Sequence, residues 1–127
     1  MPKKILIIED DPAIVVSLEF LMLQQGYDVQ VTTNAEEGEK TIRQQMPDLI
    51  LLDINLPQRS GFELCRQLRA DSNFDQTRIV LLTAKGREVD YQKGIAFGAD
   101  EYIIKPFSTR DLVQTVHDLL STTRNLI

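Results

Sequence analysis

Leu49-Ile50-Leu51-Leu52 is an apolar run of four set between two carboxylates, Asp48 and Asp53, with Pro57 and Gly61 in the stretch that follows. A short run without polar alternation suits a strand covered on both faces, as in a parallel sheet. The strand is expected over 48–53, which puts Asp53 at its C-terminal end. In open α/β sheets that edge is where ligands bind. Taken alone, an Asp there is more often a loop starter or helix cap. The rest of the chain decides between the two.

Two further runs repeat the pattern: Ile5-Leu6-Ile7-Ile8, and Ile79-Val80-Leu81-Leu82 within 78–83. Between them the apolar spacing turns helical. Asp11 is a natural N-cap, Pro12 suits the first turn, and Ile14, Val15, Leu18, Leu21 and Met22 make a helical face closed by Gly26. A second strand is expected over 27–32. Asn34 then caps a helix over 36–45, weakened at Gly38 and stopped by Pro47. A third helix is expected over 61–70, a polar fourth helix over 86–97 with Gly94 inside it, and a short fifth strand over 100–104. Ser108 and Asp111 stand at capping-box spacing ahead of Leu112, Val113, Val116, Leu119 and Leu120, with a polar tail from Ser121 expected to fray.

This is βα five times over, which predicts an α/β, doubly wound (βα)5 three-layer sandwich. The expected sheet is parallel and five-stranded, of order 2-1-3-4-5, flavodoxin-like, with its switch point between strands 1 and 3. The chain of 127 residues is read as a single domain, 1–127. No run reaches the ~18 apolar residues of a membrane span. Cys65 is the lone cysteine, so a reducing, cytoplasmic setting is expected. The net charge of −5 argues against direct nucleic-acid binding.

At the switch point, Glu9 and Asp10 end strand 1 and Asp53 ends strand 3. Three clustered carboxylates repel unless a proton or a cation intervenes. Hard oxygen donors favour magnesium or calcium, and magnesium leaves room for phosphate oxygens. A structural metal, or an acidic crevice without one, is the plainer alternative. Thr83 ends strand 4 and Lys105 follows strand 5, so both share that edge. A hydroxyl and a compact ammonium are what a phosphoryl group on Asp53 would need. Carboxylates are established covalent acceptors of phosphate.

The set Glu9-Asp10, Asp53, Thr83-Ala84 and Lys105-Pro106, with Gly98-Ala99-Asp100-Glu101-Tyr102 before it, resembles the receiver domain of bacterial two-component response regulators, chemotaxis-receiver-like in fold. The match runs from Lys3 to about Leu120. The resemblance implies that Asp53 accepts a phosphoryl group from a sensor histidine kinase or phosphotransfer protein. It implies Mg²⁺, with Mn²⁺ as a substitute, held by Asp10, Asp53 and the backbone carbonyl of Asn55, with Glu9 acting through water. Thr83 and Lys105 would contact the phosphoryl group, Thr83 and Tyr102 would switch inward together, and the Lys105–Pro106 bond would be cis. Asn55 and Lys85 would tune the phosphoryl lifetime. Such a protein is a phosphoacceptor switch, not a metabolic enzyme, and would signal through its helix 4/strand 5/helix 5 face to a downstream protein or effector domain.

Two other readings fit less well. A haloacid-dehalogenase-like phosphatase needs a second Asp where Asn55 stands. A flavin module needs a Gly- or hydroxyl-rich loop where Glu9-Asp10-Asp11-Pro12 stands. The symmetric dimer of winged-helix transcription factors needs basic residues where Tyr91 and Thr115 stand. With Asp100, Glu101 and Asp111 left facing their copies, that dimer is not expected.

Overall fold

The computed structural model describes residues 1–84 and 86–124. Strands and helices alternate: β1 (Lys4–Ile8), α1 (Pro12–Gln24), β2 (Asp28–Thr32), α2 (Ala35–Gln45), β3 (Leu49–Asp53), α3 (Gly61–Arg69), β4 (Arg78–Thr83), α4 (Glu88–Ala96), β5 (Glu101–Ile104) and α5 (Thr109–Leu120). The strands form one parallel sheet in the order β2-β1-β3-β4-β5. The flavodoxin-like architecture expected from the sequence is the one observed.

The unbroken apolar runs now have a physical reason. Leu6, Ile8, Ile50, Leu52, Ile79 and Leu81 pack on one face with Ala35 and Ile42 of α2 and Phe62, Leu64, Cys65 and Leu68 of α3. Ile5, Ile7, Leu49, Leu51, Val80 and Leu82 pack on the other with Leu18 and Met22 of α1 and Leu112 and Val116 of α5. A central strand with helices on both sides has no solvent face, so its middle positions are apolar and the polar residues fall at its ends, as Asp53, Arg78 and Thr83 do. Gly38, a weak point for helix propensity, lies where an added Cβ would stand 2.6 Å from Ile8 Cδ1. Its lack of a side chain lets α2 approach β1.

Caps set the helix ends. Asp11 Oδ1 accepts the Ala13 N–H at 3.0 Å, Asn34 accepts that of Glu37 at 2.9 Å, and Ser108 that of Asp111 at 3.2 Å. Ser60 does the same for α3 through Glu63 at 3.2 Å. Each such cap contributes about 1 kcal/mol. α4 is shorter than the expected 86–97, and its N-cap, Arg87, makes no side-chain cap bond. α2 ends at Met46, which takes the left-handed φ of 48° before Pro47. A 3-10 turn at Ser72–Phe74, which no periodicity announces, buries Phe74.

Three expectations need correction at the far edge of the sheet. β5 starts at Glu101, one residue late, because the Asp100 side chain takes the Ile79 N–H at 2.8 Å. The Asp100 carboxylate is only 7% exposed and pairs with Arg69 at 2.7 Å, Arg124 at 2.9 Å and Arg78 at 3.2 Å. Its charge is therefore engaged within the chain, where the sequence placed it among exposed acids. Over 121–124 the expected tail is tied down, since Arg78 donates to the Thr122 carbonyl at 2.9 Å and the Arg124 N–H donates to Gln76 Oε1 at 3.0 Å; the remainder of that tail, 125–127, lies outside the described residues.

Candidate functional site

Parallel pairing brings the expected residues together by register alone. Ile8 lies beside Leu52, Asp53 beside Leu82, and Thr83 beside Ile104. The residues just past β1, at the end of β3, at the end of β4 and just past β5 therefore share the C-terminal edge. Glu9, Asp10 and Asp53 each bring a carboxylate oxygen to a cluster within 4.8 Å. Glu9 is fully buried and Asp53 is 4% exposed, whereas Asp10 faces solvent.

Lys105 answers the acids. Its Nζ lies 2.6 Å from Glu9 Oε1 and 3.4 Å from Asp53 Oδ1. The Lys105–Pro106 peptide bond is cis. Burial pushes the Glu9 carboxyl above its ordinary value, the Lys105 hydrogen bond and the Asp11 N–H at 3.2 Å pull it down, and the Asp53 charge pushes it up again. Burial alone would lower the Lys105 ammonium, but Glu9 and Asp53 outweigh it and hold it above its usual range.

With all groups ionised, three carboxylates and one ammonium leave the pocket doubly negative. The donor set is all oxygen, with one solvent-facing carboxylate and no His or Cys among the clustered residues. That charge and that hardness fit a divalent magnesium-like cation. The Asn55 N–H donates to Asp53 Oδ1 at 3.2 Å, which holds the following loop against the strand end.

Thr83 is fully buried at the end of β4. The Tyr102 ring on β5 is 8% exposed, its hydroxyl shares a hydrogen bond with Thr83, and burial raises its phenol above the ordinary value. Tyr91 of α4 meets that ring edge-on, centroids 5.8 Å apart. Tyr102 is thus inward, on Thr83. The sequence reading singled out Tyr91 only as a missing cation; its ring contact depends on how α4 crosses β5. Lys85 lies outside the described residues. No helix among the described residues is long and apolar enough to cross a membrane.

The geometry has clear relatives. A family model described as the response regulator receiver domain matches residues 5–117. The phosphate regulon transcriptional regulatory protein PhoB of Rhizobium meliloti is 39% identical over 120 residues, 94% of this chain and 53% of that protein. The chain spans about half the length of the curated relatives it matches. The BeF3-activated N-terminal receiver domain of Klebsiella pneumoniae RstA is 32% identical with a TM-score of 0.88, covering 94% of this chain and 100% of that one. The receiver domain of the Pseudomonas aeruginosa sensor histidine kinase PA1611, solved with a magnesium ion coordinated in its active site cleft, is 26% identical with a TM-score of 0.87, covering 96% of this chain and 100% of that one.

Proposed function

The chain belongs to the response regulator receiver domain family, and on that premise we propose that Asp53 is its phosphoacceptor and that Asp10, Asp53 and the Asn55 carbonyl hold the Mg²⁺ the reaction requires. The observation that carries this reading is the convergence of Glu9, Asp10 and Asp53 with Lys105 at one strand edge. A carboxylate oxygen of Asp53 attacks phosphorus in a phosphohistidine, the phosphorus–nitrogen bond breaks, and the imidazole leaves with its electron pair. Catalysis of such a transfer is mainly positioning and charge neutralisation. A bound Mg²⁺ supplies the neutralisation of charge on the transferring oxygens, with Mn²⁺ able to replace it.

The remaining roles fall to this chain's own groups. Glu9 holds Lys105 beside Asp53 and would meet the cation through water. Lys105 pairs with one phosphoryl oxygen, and the Thr83 hydroxyl hydrogen-bonds another. Tyr102 follows Thr83 and passes its position to the surface of α4, β5 and α5. Asn55 and Lys85 set how long the phosphoryl group survives. The donor is a sensor histidine kinase or a phosphotransfer protein, and the receiver of the signal is a protein or an attached effector domain. The domain works as a switch with self-phosphotransfer and autodephosphorylation, not as a metabolic enzyme.

The test is labelling with acetyl phosphate, followed as the mass of the intact chain. Labelling that needs Mg²⁺ and stops in EDTA supports the reading. Labelling at full rate in EDTA overturns the metal's role.

A further inference from the structure

Loop 54–60 joins β3 to α3 and carries Asn55. Its ends are pinned: the Gly61 N–H donates to the Ile54 carbonyl at 3.0 Å. Gly61 admits no Cβ, because one would collide with the backbone of Asp53 and Ile54. Midway, Gln58 takes a left-handed φ of 75°, a conformation a residue with a side chain adopts only when its surroundings hold it there.

The Arg59 N–H closes this turn on the Pro57 carbonyl at 2.9 Å, and the Arg59 side chain ties the turn to the neighbouring helices. Its Nη2 donates to Glu39 Oε1 of α2 at 2.7 Å and to the Ala35 carbonyl at 3.4 Å. Its Nη1 donates to Gln67 Oε1 of α3 at 2.5 Å. The side chain is 19% exposed, and its Nε is buried without a hydrogen-bond partner among the described residues. Glu39 is itself held from the other side by Arg43, at 3.0 Å, and Arg43 reaches on to Asp71 at 3.2 Å. The Arg59 hydrogen bond, with that of Arg43 behind it, keeps the Glu39 carboxyl below its usual range. One side chain thus ties the loop to the helices on either side of it.

We propose that Arg59, strapped to Glu39 and Gln67, is a positioning residue for the cation site. The proposal rests on the function given above, in which the Asn55 carbonyl is a ligand. Asp10 and Asp53 are placed by the ends of strands buried in the sheet. The Asn55 carbonyl lies beyond the strand, in a loop tied at its start by the Ile54 N–H on Leu82 and the Asn55 N–H on Asp53, and no rotamer of its own can correct its place if the far half of the loop shifts. Magnesium demands near-ideal octahedral geometry, so a small drift of one ligand weakens the site. Residues that orient metal ligands without touching the metal affect affinity at this remove.

The experiment is a calorimetric Mg²⁺ titration of the wild-type chain and of Arg59→Ala, Glu39→Ala and their double variant, with melting curves alongside. Arg59→Ala and Glu39→Ala should each bind Mg²⁺ about tenfold more weakly. The double variant should be no weaker than Arg59→Ala alone, because Glu39 acts on the loop through Arg59. Arg59→Lys and Glu39→Gln are gentler versions that keep the fold if the alanines do not, and they should show the same direction. A strap that served stability alone would lower the melting temperature and leave Mg²⁺ affinity within twofold of wild type. That result, with the wild type binding Mg²⁺ and Asp10→Asn failing to, overturns this inference and leaves the proposed function standing. A wild-type chain that binds no Mg²⁺ overturns both.

Discussion

Lys105 Nζ lies 2.6 Å from Glu9 Oε1, closer than its 3.4 Å to Asp53 Oδ1, so the ammonium is held mainly by the acid that would not carry phosphate. This arrangement keeps a positive charge beside Asp53 without making Asp53 its main partner. Removing one partner of a buried ion pair usually costs about 3–5 kcal/mol, because the other charge is stranded. In Glu9→Gln the ammonium still has Asp53, and a burial-disfavoured carboxylate is gone. The apo domain should therefore change in stability by no more than about 1 kcal/mol while Mg²⁺ affinity falls, as one carboxylate fewer faces the cation. Denaturant melts and Mg²⁺ titrations check both halves. A loss of about 3 kcal/mol or more would show that Glu9 is first a structural partner of Lys105.

Tyr91 closes over Tyr102 in the edge-on geometry that aromatic pairs prefer, worth about 0.5–1.5 kcal/mol. Burial raises the Tyr102 phenol above its ordinary 10.0. A raised acid contributes stability that is complete below the unfolded value and lost as pH climbs through the folded one. Tyr91→Ala should open the ring to water, move its ionisation back towards 10.0 and reduce that alkaline loss. An NMR titration of the Tyr102 ring carbons reads this directly. An unmoved midpoint would mean that Tyr91 does not shield the ring.

Among the described residues, Asp100 is the single carboxylate under Arg69, Arg78 and Arg124. Asp100→Asn strands three guanidinium groups and should cost about 3 kcal/mol or more. Arg124→Ala leaves two of the three pairs intact and should cost less, while faster amide exchange appears at 121–124. Urea melts of the two variants compare them. Equal losses would contradict the hub described for Asp100.

The fold and the edge carrying the acids were legible in the sequence because both depend on local signals. Unbroken apolar runs such as Leu49–Leu52 report burial on two faces, and the residue after each run must fall at the sheet edge. Asp11, Asn34 and Ser108 announced their helices by cap chemistry. What stayed hidden depended on long side chains reaching across the fold. Nothing near Arg59 in sequence says that it meets Glu39, 20 residues away. Arg124 reads as a solvated tail cation until it meets Asp100, 24 residues back. Asp100 likewise looked like a surface acid, since burying a charge is expected only once its partners are known.

The central claim is that Asp53, among three clustered acids, takes the phosphoryl group. The direct measurement is the intact mass of the chain after acetyl phosphate and Mg²⁺, compared between wild type and Asp53→Ala, with peptide mapping to place the label. The account predicts one phosphoryl group on the wild-type chain, mapped to Asp53, and none on Asp53→Ala. A label of equal stoichiometry on Asp53→Ala, or one that maps to Asp10 or Glu9 in the wild type, would contradict it.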